Sequence, residues 1–305
     1  MSPGPALATT TATVGPFLVA KLRALDTRLR DVAPRAHGVA DDRDAVHDLR
    51  VALRRTRTLL EVGRSVLGRF HADEVRRAFR DVMRASSAVR DEEVLLELMV
   101  SLAPAGGSAP DLPAWLDVRR RRERRLRGVL TKTLRSGELE RGRALLEALL
   151  AFRVDPSRDR RMTKFARRAV ERARREVDRR RGVRPDDAEG LHRLRIAYKR
   201  LRYTADTFAD ALPSELAALA QPAARLQGRL GDLHDVDIAL GCVRRARTLS
   251  SLTRAELLAS LGRERDVRVA AYTAGSSERS PFRPRFRRWA PTRCGRSRRA
   301  EGRRP

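Results

Sequence analysis

Cysteine is nearly missing from this chain. Cys242 and Cys294 are the only two, and neither sits in a CxxC or a Cys/His cluster. That argues against a disulfide framework and a structural zinc site. Aromatic residues make up 4% of the sequence against 41% hydrophobic residues. A core must therefore come from Leu, Val and Ala, a mix that favours helices over strands. No apolar run is long enough to cross a bilayer. The most apolar windows, such as Ala144-Leu145-Leu146-Glu147-Ala148-Leu149-Leu150, are short and carry charge. No basic segment followed by an apolar one opens the chain, so no secretory signal is read. A reducing cytoplasm without membrane insertion is the expected setting. GxxxxGK[ST], GxSxG and HExxH are all absent, and no cofactor, metal or catalytic residue is expected.

What the chain has in excess is arginine. Lys+Arg outnumber Asp+Glu 67 to 39, a net charge of +28. Lysine occurs only at Lys21, Lys132, Lys164 and Lys199. Charge of this size repels itself unless a polyanion or acidic surface accompanies it. A GC-rich genome also produces this usage, so charge alone does not specify a ligand.

Helical periodicity dominates the pattern, and no period-two apolar run appears. The spacing predicts helices near 15–33, 43–67, 70–87, 91–101, 112–134, 137–151, 162–181, 189–211, 214–228, 232–248 and 253–273. Breaks are expected at 104–110, 154–157 and 182–185, at Pro213 and at Gly231. Residues 1–14 and the Arg/Pro-rich stretch 274–305 are expected to be disordered. The latter holds eleven Arg against two Glu. The expected architecture is all-α, with one half at about 15–153 and a second at about 160–273.

The halves are suggested by an internal repeat. VHDLRVALRRTRTLL, with His47, matches LHRLRIAYKRLRYTA, with His192. Farther on, Ser87–Leu96 matches Gly231–Leu240. The two offsets are 145 and 144. At 100° per residue, His47, Arg50, Arg54 and Arg57 fall within an arc of about 80°. Leu49, Ala52, Leu53, Thr56, Leu59 and Leu60 form an apolar stripe on nearly the opposite side. His192, Arg195, Lys199 and Arg202 repeat the ridge, backed by Leu194, Ala197, Tyr198, Leu201 and Ala205. Like charges three and four apart repel by a few tenths of a kcal/mol per pair. A ridge kept twice at that cost points to an anion more than to a solvated face. Guanidinium groups donate a fork of hydrogen bonds to phosphate oxygens. His47 and His192 would gain protons below about pH 6.5 and tighten binding. No aromatic platform for bases interleaves with the ridge.

These stretches, with AVRDEEVLLEL and LQGRLGDLHDVDIAL, resemble the CHAD domain, the conserved-histidine α-helical domain, across roughly 15–273. The resemblance implies two helical bundles related by a pseudo-dyad, with a basic groove or pore between them. It also implies binding of inorganic polyphosphate, and for some members association with polyphosphate granules or polyphosphate-metabolising enzymes. Many members carry a CYTH-type triphosphatase domain. Its ExExK signature is absent here, so a stand-alone module is expected. Carried over by position, the ligand set is His47, Arg50, Arg54 and Arg57, then His192, Arg195, Lys199 and Arg202, with His234 and its counterpart Arg90. Arg84 and Arg229 are weaker candidates. Thr56 departs from the family pattern, where Leu is common, and puts local packing in question.

Other readings compete. His47-Asp48 and His234-Asp235 suggest an HD-type metal phosphohydrolase, but Arg and Leu surround both pairs and cations disfavour a divalent ion. Arg35-Ala36-His37-Gly38 hints at a histidine-phosphatase RHG, spoiled by the inserted Ala. The run Arg119–Arg125 and the Arg-rich tail would suit nucleic acid as a secondary partner, and the run could equally be a solvated helix face. Asp91 and Asp235 are read as helix N-caps or first-turn acids, favoured by the dipole, rather than as groups orienting neighbouring side chains.

Overall fold

The computed structural model describes residues 13–36, 43–102, 109–152, 157 and 159–277. The stretches 1–12 and 278–305, most of the breaks at 104–110 and 154–157, and His37 and Gly38 lie outside them, as does Cys294. Among the described residues the fold is all-α and no strand forms; a single isolated bridge joins Thr13 to Arg161. The elements are α1 (Val14–Ala36), α2 (Arg43–Leu67), α3 (Arg69–Ala78), α4 (Arg80–Ser101), α5 (Leu112–Arg135), α6 (Glu138–Ala151), α7 (Met162–Arg180), α8 (Ala188–Thr207), α9 (Ser214–Ala217), α10 (Ala220–Arg244) and α11 (Ser251–Ser277), with a 3₁₀ turn at Ala209–Ala211. Among the described residues no helix is long and apolar enough to cross a membrane.

Periodicity located the helices, and the differences have local causes. The expected helices 70–87 and 91–101 are instead α3 and the longer α4, divided at Phe79. Its backbone sits at φ −79°, ψ 0°, and its ring is fully buried. Buried packing of one aromatic sets that break, where no Gly or Pro marks it. Gly68, at φ +91°, separates α2 from α3, a conformation that glycine adopts without a Cβ penalty. The break expected at Gly231 does not occur, and α10 runs straight through it. Gly231 sits beside the Arg195 guanidinium at ordinary van der Waals distance, 3.4 Å from a Cβ built there. The strong break lies earlier, at the extended Leu212 and at Pro213.

Three apolar clusters hold these helices. The first gathers α1–α4 and α6 with the end of α5, around Leu18, Leu22, Leu53, Leu60 and Phe79. The second gathers α7–α10 and Tyr272 of α11, around Tyr198 and Leu201. The third joins the C-terminal parts of α4 and α10 to α5 and α11, through Leu95, Met99, Trp115, Val236 and Leu257. It spans both halves of the chain. A second tie between them is the Phe17–Phe208–Phe165 aromatic group, with centroids 5.4 and 5.8 Å apart. Thr56 is fully buried and its hydroxyl donates to the Ala52 carbonyl at 2.9 Å. That bond satisfies the polar group in place of the apolar side chain common in this position.

Gly142 on α6 meets the buried Phe79 ring so closely that a Cβ there would lie 2.6 Å from the ring. Gly128 on α5 has nothing within 4 Å of such a Cβ. Gly142→Val is expected to destabilise by roughly 2–3 kcal/mol through overpacking. Gly128→Ala should stabilise by up to about 1 kcal/mol through helix propensity. Urea unfolding followed by circular dichroism measures both; a neutral Gly142→Val would contradict the packing described.

Candidate functional site

The motif helices α2 and α8 are positioned by their apolar stripes. Leu49, Ala52, Leu53 and Leu60 are buried in the first cluster; Leu194, Ala197, Tyr198 and Leu201 are buried in the second. The N-terminus of α8 is capped by Asp187, whose carboxylate accepts the Gly190 N–H at 2.8 Å. With the stripes committed to separate cores, the opposite faces meet across a trough of about 510 Å³. Arg50, Arg54 and Arg57 from α2 and His192, Arg195 and Lys199 from α8 line it. His234 and Asp235 enter from α10, and Asp91 from α4. Residues one repeat apart thus share a single cavity: Arg50 with Arg195, Arg54 with Lys199, Asp91 with Asp235, and Val94 with Ile238.

Few of these cations are neutralised. Arg50 donates to the Ser86 carbonyl at 3.0 Å, which ties its guanidinium to α4. Arg54 reaches the Tyr203 hydroxyl at 3.5 Å. Nδ1 of His192 and Nε of Arg195 are shielded from solvent with no hydrogen-bond partner among the described residues. Leaving such groups unsatisfied is costly, and here they face a cavity. The His192 and His234 rings lie 4.5 Å apart.

Titration behaviour reflects the crowding. Burial, then Arg54, Arg195 and Arg50, push the Lys199 ammonium down to about 7. Burial and the neighbouring Arg54 push Arg50 down to about 10. Burial, then His192 and Arg195, bring His234 down to about 4. His192 is lowered too, by burial and then by Arg195 and Lys199. Asp235 moves the other way, raised to about 6 because burial outweighs the nearby Arg195. The apolar wall of Met83, Val94, Leu95, Ile196 and Ile238 is what makes burial the leading cause.

Some sequence-read positions fall elsewhere. His47 is exposed and does not line the trough. Arg90 turns to Glu93 at 3.1 Å and Glu97 at 3.6 Å. Arg202 approaches Gln227 at 3.3 Å and Asp206 at 3.6 Å and lies over the Tyr203 ring. Arg84 is strongly exposed beside Asp81, and Arg229 packs over Gly275. The reading of Asp91 and Asp235 as N-caps or first-turn acids is corrected. Both lie in the middle of long helices, α4 and α10, because those helices continue through the expected breaks. Their carboxylates face the trough. Arg76 and Glu61 also line it and were not read from the motif. Arg76 comes from α3, outside the repeat, and pairs with Glu61 at 3.1 Å; no sequence signal marks that encounter.

The His-Asp dipeptides are separated by this geometry. Asp48 pairs with Arg28 at 3.2 Å, while Asp235 faces Arg195 in the trough. Among the described residues no group of three or more His, Cys, Asp or Glu is placed to hold a metal ion.

The comparisons agree with this architecture. The family model of the CHAD domain matches residues 23–244. The CHAD domain crystal structure from the plant Ricinus communis superposes with a TM-score of 0.67 at 20% identity, covering 90% of this chain and 96% of that one. PptA from Streptomyces chartreusis superposes at 0.66 with 16% identity, covering 88% of this chain and 100% of that one. No curated protein matches.

Lys199 in the folded state has a pKa well below its ordinary 10.5. The unfolded chain therefore holds the extra proton between about pH 7 and 10.5, and stability from this group rises with pH across that window. Below about pH 7 the full destabilisation is present. Lys199→Met is expected to raise Tm at pH 6.5 by about 2–4 °C, equivalent to roughly 1 kcal/mol in a domain of this size. The gain should shrink towards pH 10. Calorimetric scans at several pH values check this, and an unchanged or lower Tm at pH 6.5 would contradict it.

Proposed function

The chain belongs to the CHAD domain family, and from that membership we propose that it binds inorganic polyphosphate in the trough between α2 and α8, without catalysis. One observation carries the reading: Arg50, Arg54 and Arg57 converge with His192, Arg195 and Lys199 on one cavity. The two motif helices are read as related by an approximate dyad, so that an anionic chain between them meets cations on both sides. Guanidinium forks grip successive phosphates, and Lys199 and His192 follow the chain as point donors. Bound phosphate stabilises the charged forms that the empty trough disfavours, so Lys199 takes up a proton on binding near neutral pH. A phosphate oxygen supplies the acceptor that the Arg195 Nε–H lacks.

Asp91, Asp235 and Glu61 hold the cations apart and oriented in the absence of ligand, and a protonated Asp235 can donate to a phosphate oxygen. The cations about His234 and Asp235 oppose a divalent ion, which weakens the phosphohydrolase reading. A second reading, nucleic-acid binding, draws on exposed Arg120, Arg121, Arg124 and Arg125 of α5. These lie on a convex helix face without a stacking ring, so it ranks below the first. Granule targeting and regulation of a polyphosphate-metabolising enzyme are the biological roles this binding would serve.

Calorimetric titration with long-chain polyphosphate, duplex DNA and single-stranded RNA at one salt concentration tests the reading. Polyphosphate is expected to bind in preference, with affinity falling steeply with salt. The Arg50, Arg54, Arg195 and Lys199 to Ala quadruple variant should lose binding while keeping its helical circular dichroism; undiminished binding refutes the assignment. Affinity should also fall as pH rises through about 7, as Lys199 loses its proton, with a smaller gain from His192 at pH values below the ordinary imidazole range, because burial lowers its pKa. Lys199→Arg should flatten the step near pH 7, because arginine stays charged. A step that persists in that variant removes Lys199 as its source.

A further inference from the structure

A second hollow, of about 460 Å³, lies between α2, α7 and α8. Its α7 wall carries Lys164, Arg168 and Arg172. They are one turn apart on one face, about 6 Å of rise per step. All three are exposed, and none has a hydrogen bond or ion pair among the described residues. Elsewhere on α7 arginines have acids four positions on: Arg167 pairs with Glu171 at 2.9 Å and Arg174 approaches Asp178 at 4.0 Å. Along the hollow the (i, i+4) neighbour of Lys164 and of Arg168 is another cation, which repels, and that of Arg172 is Glu176. The carboxylates in this wall are already engaged. Glu61 takes Arg200 at 2.6 Å and Arg76 at 3.1 Å; Glu176 takes Arg180 at 2.5 Å and also Arg179. A row of unneutralised charge therefore borders a concave surface.

Glu61 lines this hollow and the trough alike. One oxygen holds Arg76 on the trough side, and the other holds Arg200 on the far side. The two cavities meet at a single carboxylate bridged by two arginines. The corresponding hollow of the other half is less cationic: its Lys21 lies over the Phe17 ring and its Arg28 pairs with Asp48. The extension is one-sided.

We propose that a long phosphate polyanion leaves the trough across the Glu61 partition, passes Arg200 and continues along Lys164, Arg168 and Arg172, so that the protein distinguishes long chains from short ones. This rests on the polyphosphate reading of the trough. Phosphate without bases is favoured because the one aromatic in the wall, Phe165, packs edge-on against Phe208 at 5.8 Å. A single half-buried ring offers no row of platforms on which successive bases could stack.

The test compares tripolyphosphate, long-chain polyphosphate and single-stranded RNA on the wild type and on the Lys164→Ala, Arg168→Ala, Arg172→Ala triple variant. The variant is expected to bind the long chain at least tenfold more weakly, with a log–log salt slope shallower by about two to three. Tripolyphosphate binding should stay unchanged, which also reports an intact fold. Arg172→Glu alone should give a similar length-dependent loss. An unaltered long-chain affinity, or an equal loss for both lengths, overturns the extension. An RNA affinity that falls as far as the polyphosphate affinity overturns the choice of ligand. Wild type that binds neither phosphate length rejects the trough reading itself.

Discussion

Like-charge repulsion across one narrow cavity is the constraint around which this molecule is built. Arg50 and Arg54 on α2 face Arg195 and Lys199 on α8; burial and these arginines lower the tendency of Lys199 to stay charged, and burial and Arg54 that of Arg50. Left to themselves these helices would separate. They are held by apolar burial away from the charges: each motif helix has its own core, and a third core clamps the C-terminal parts of α4 and α10 together. The Phe17–Phe208–Phe165 group adds a further tie. Apolar burial contributes about 25 cal/mol per Å², so a few buried leucines outweigh several repulsive pairs of a few tenths of a kcal/mol each.

The arrangement is stable but electrostatically unfinished. Asp91, Asp235 and Glu61 supply negative charge inside the trough without neutralising it. Burial raises Asp235 and lowers Lys199, so the site relieves part of its strain by shedding charge near neutral pH. An anionic chain would reverse only the second: it favours the charged Lys199 and raises Asp235 further. The stability that this concentration of charge costs is recovered in the apolar clusters, the third of which reaches the trough wall at Leu95.

Much of this was legible in the sequence, for reasons specific to helices. The 3.6-residue period separates an apolar stripe from a polar ridge on the same segment, so Leu49, Leu53 and Leu60 could be assigned to a core and Arg50, Arg54 and Arg57 to a common face. The repeat extended that assignment to α8. Helix joints were less legible. Phe79, its ring buried, stands between α3 and α4 without a Gly or Pro to mark the joint, and Gly231 does not divide α10. Those outcomes depend on neighbours distant in the chain, and the error at these joints carried over to Asp91 and Asp235.

The sequence by itself determined the all-α class, the two cationic ridges and the family, because each follows from local spacing. Tertiary packing alone decided which members of the ridges share a cavity. His47 and Arg202 belong to the ridges and Arg90 stands where the second half has His234, yet His47 is left on the surface, Arg90 turns to Glu93 and Glu97 of its own helix, and Arg202 lies between Asp206 of its own helix and Gln227 of α10. It also brought Arg76 and Glu61 to the edge of the trough. A helical wheel gives a side chain's direction to within one face, whereas the partner on that face is set by helix crossing and core volume.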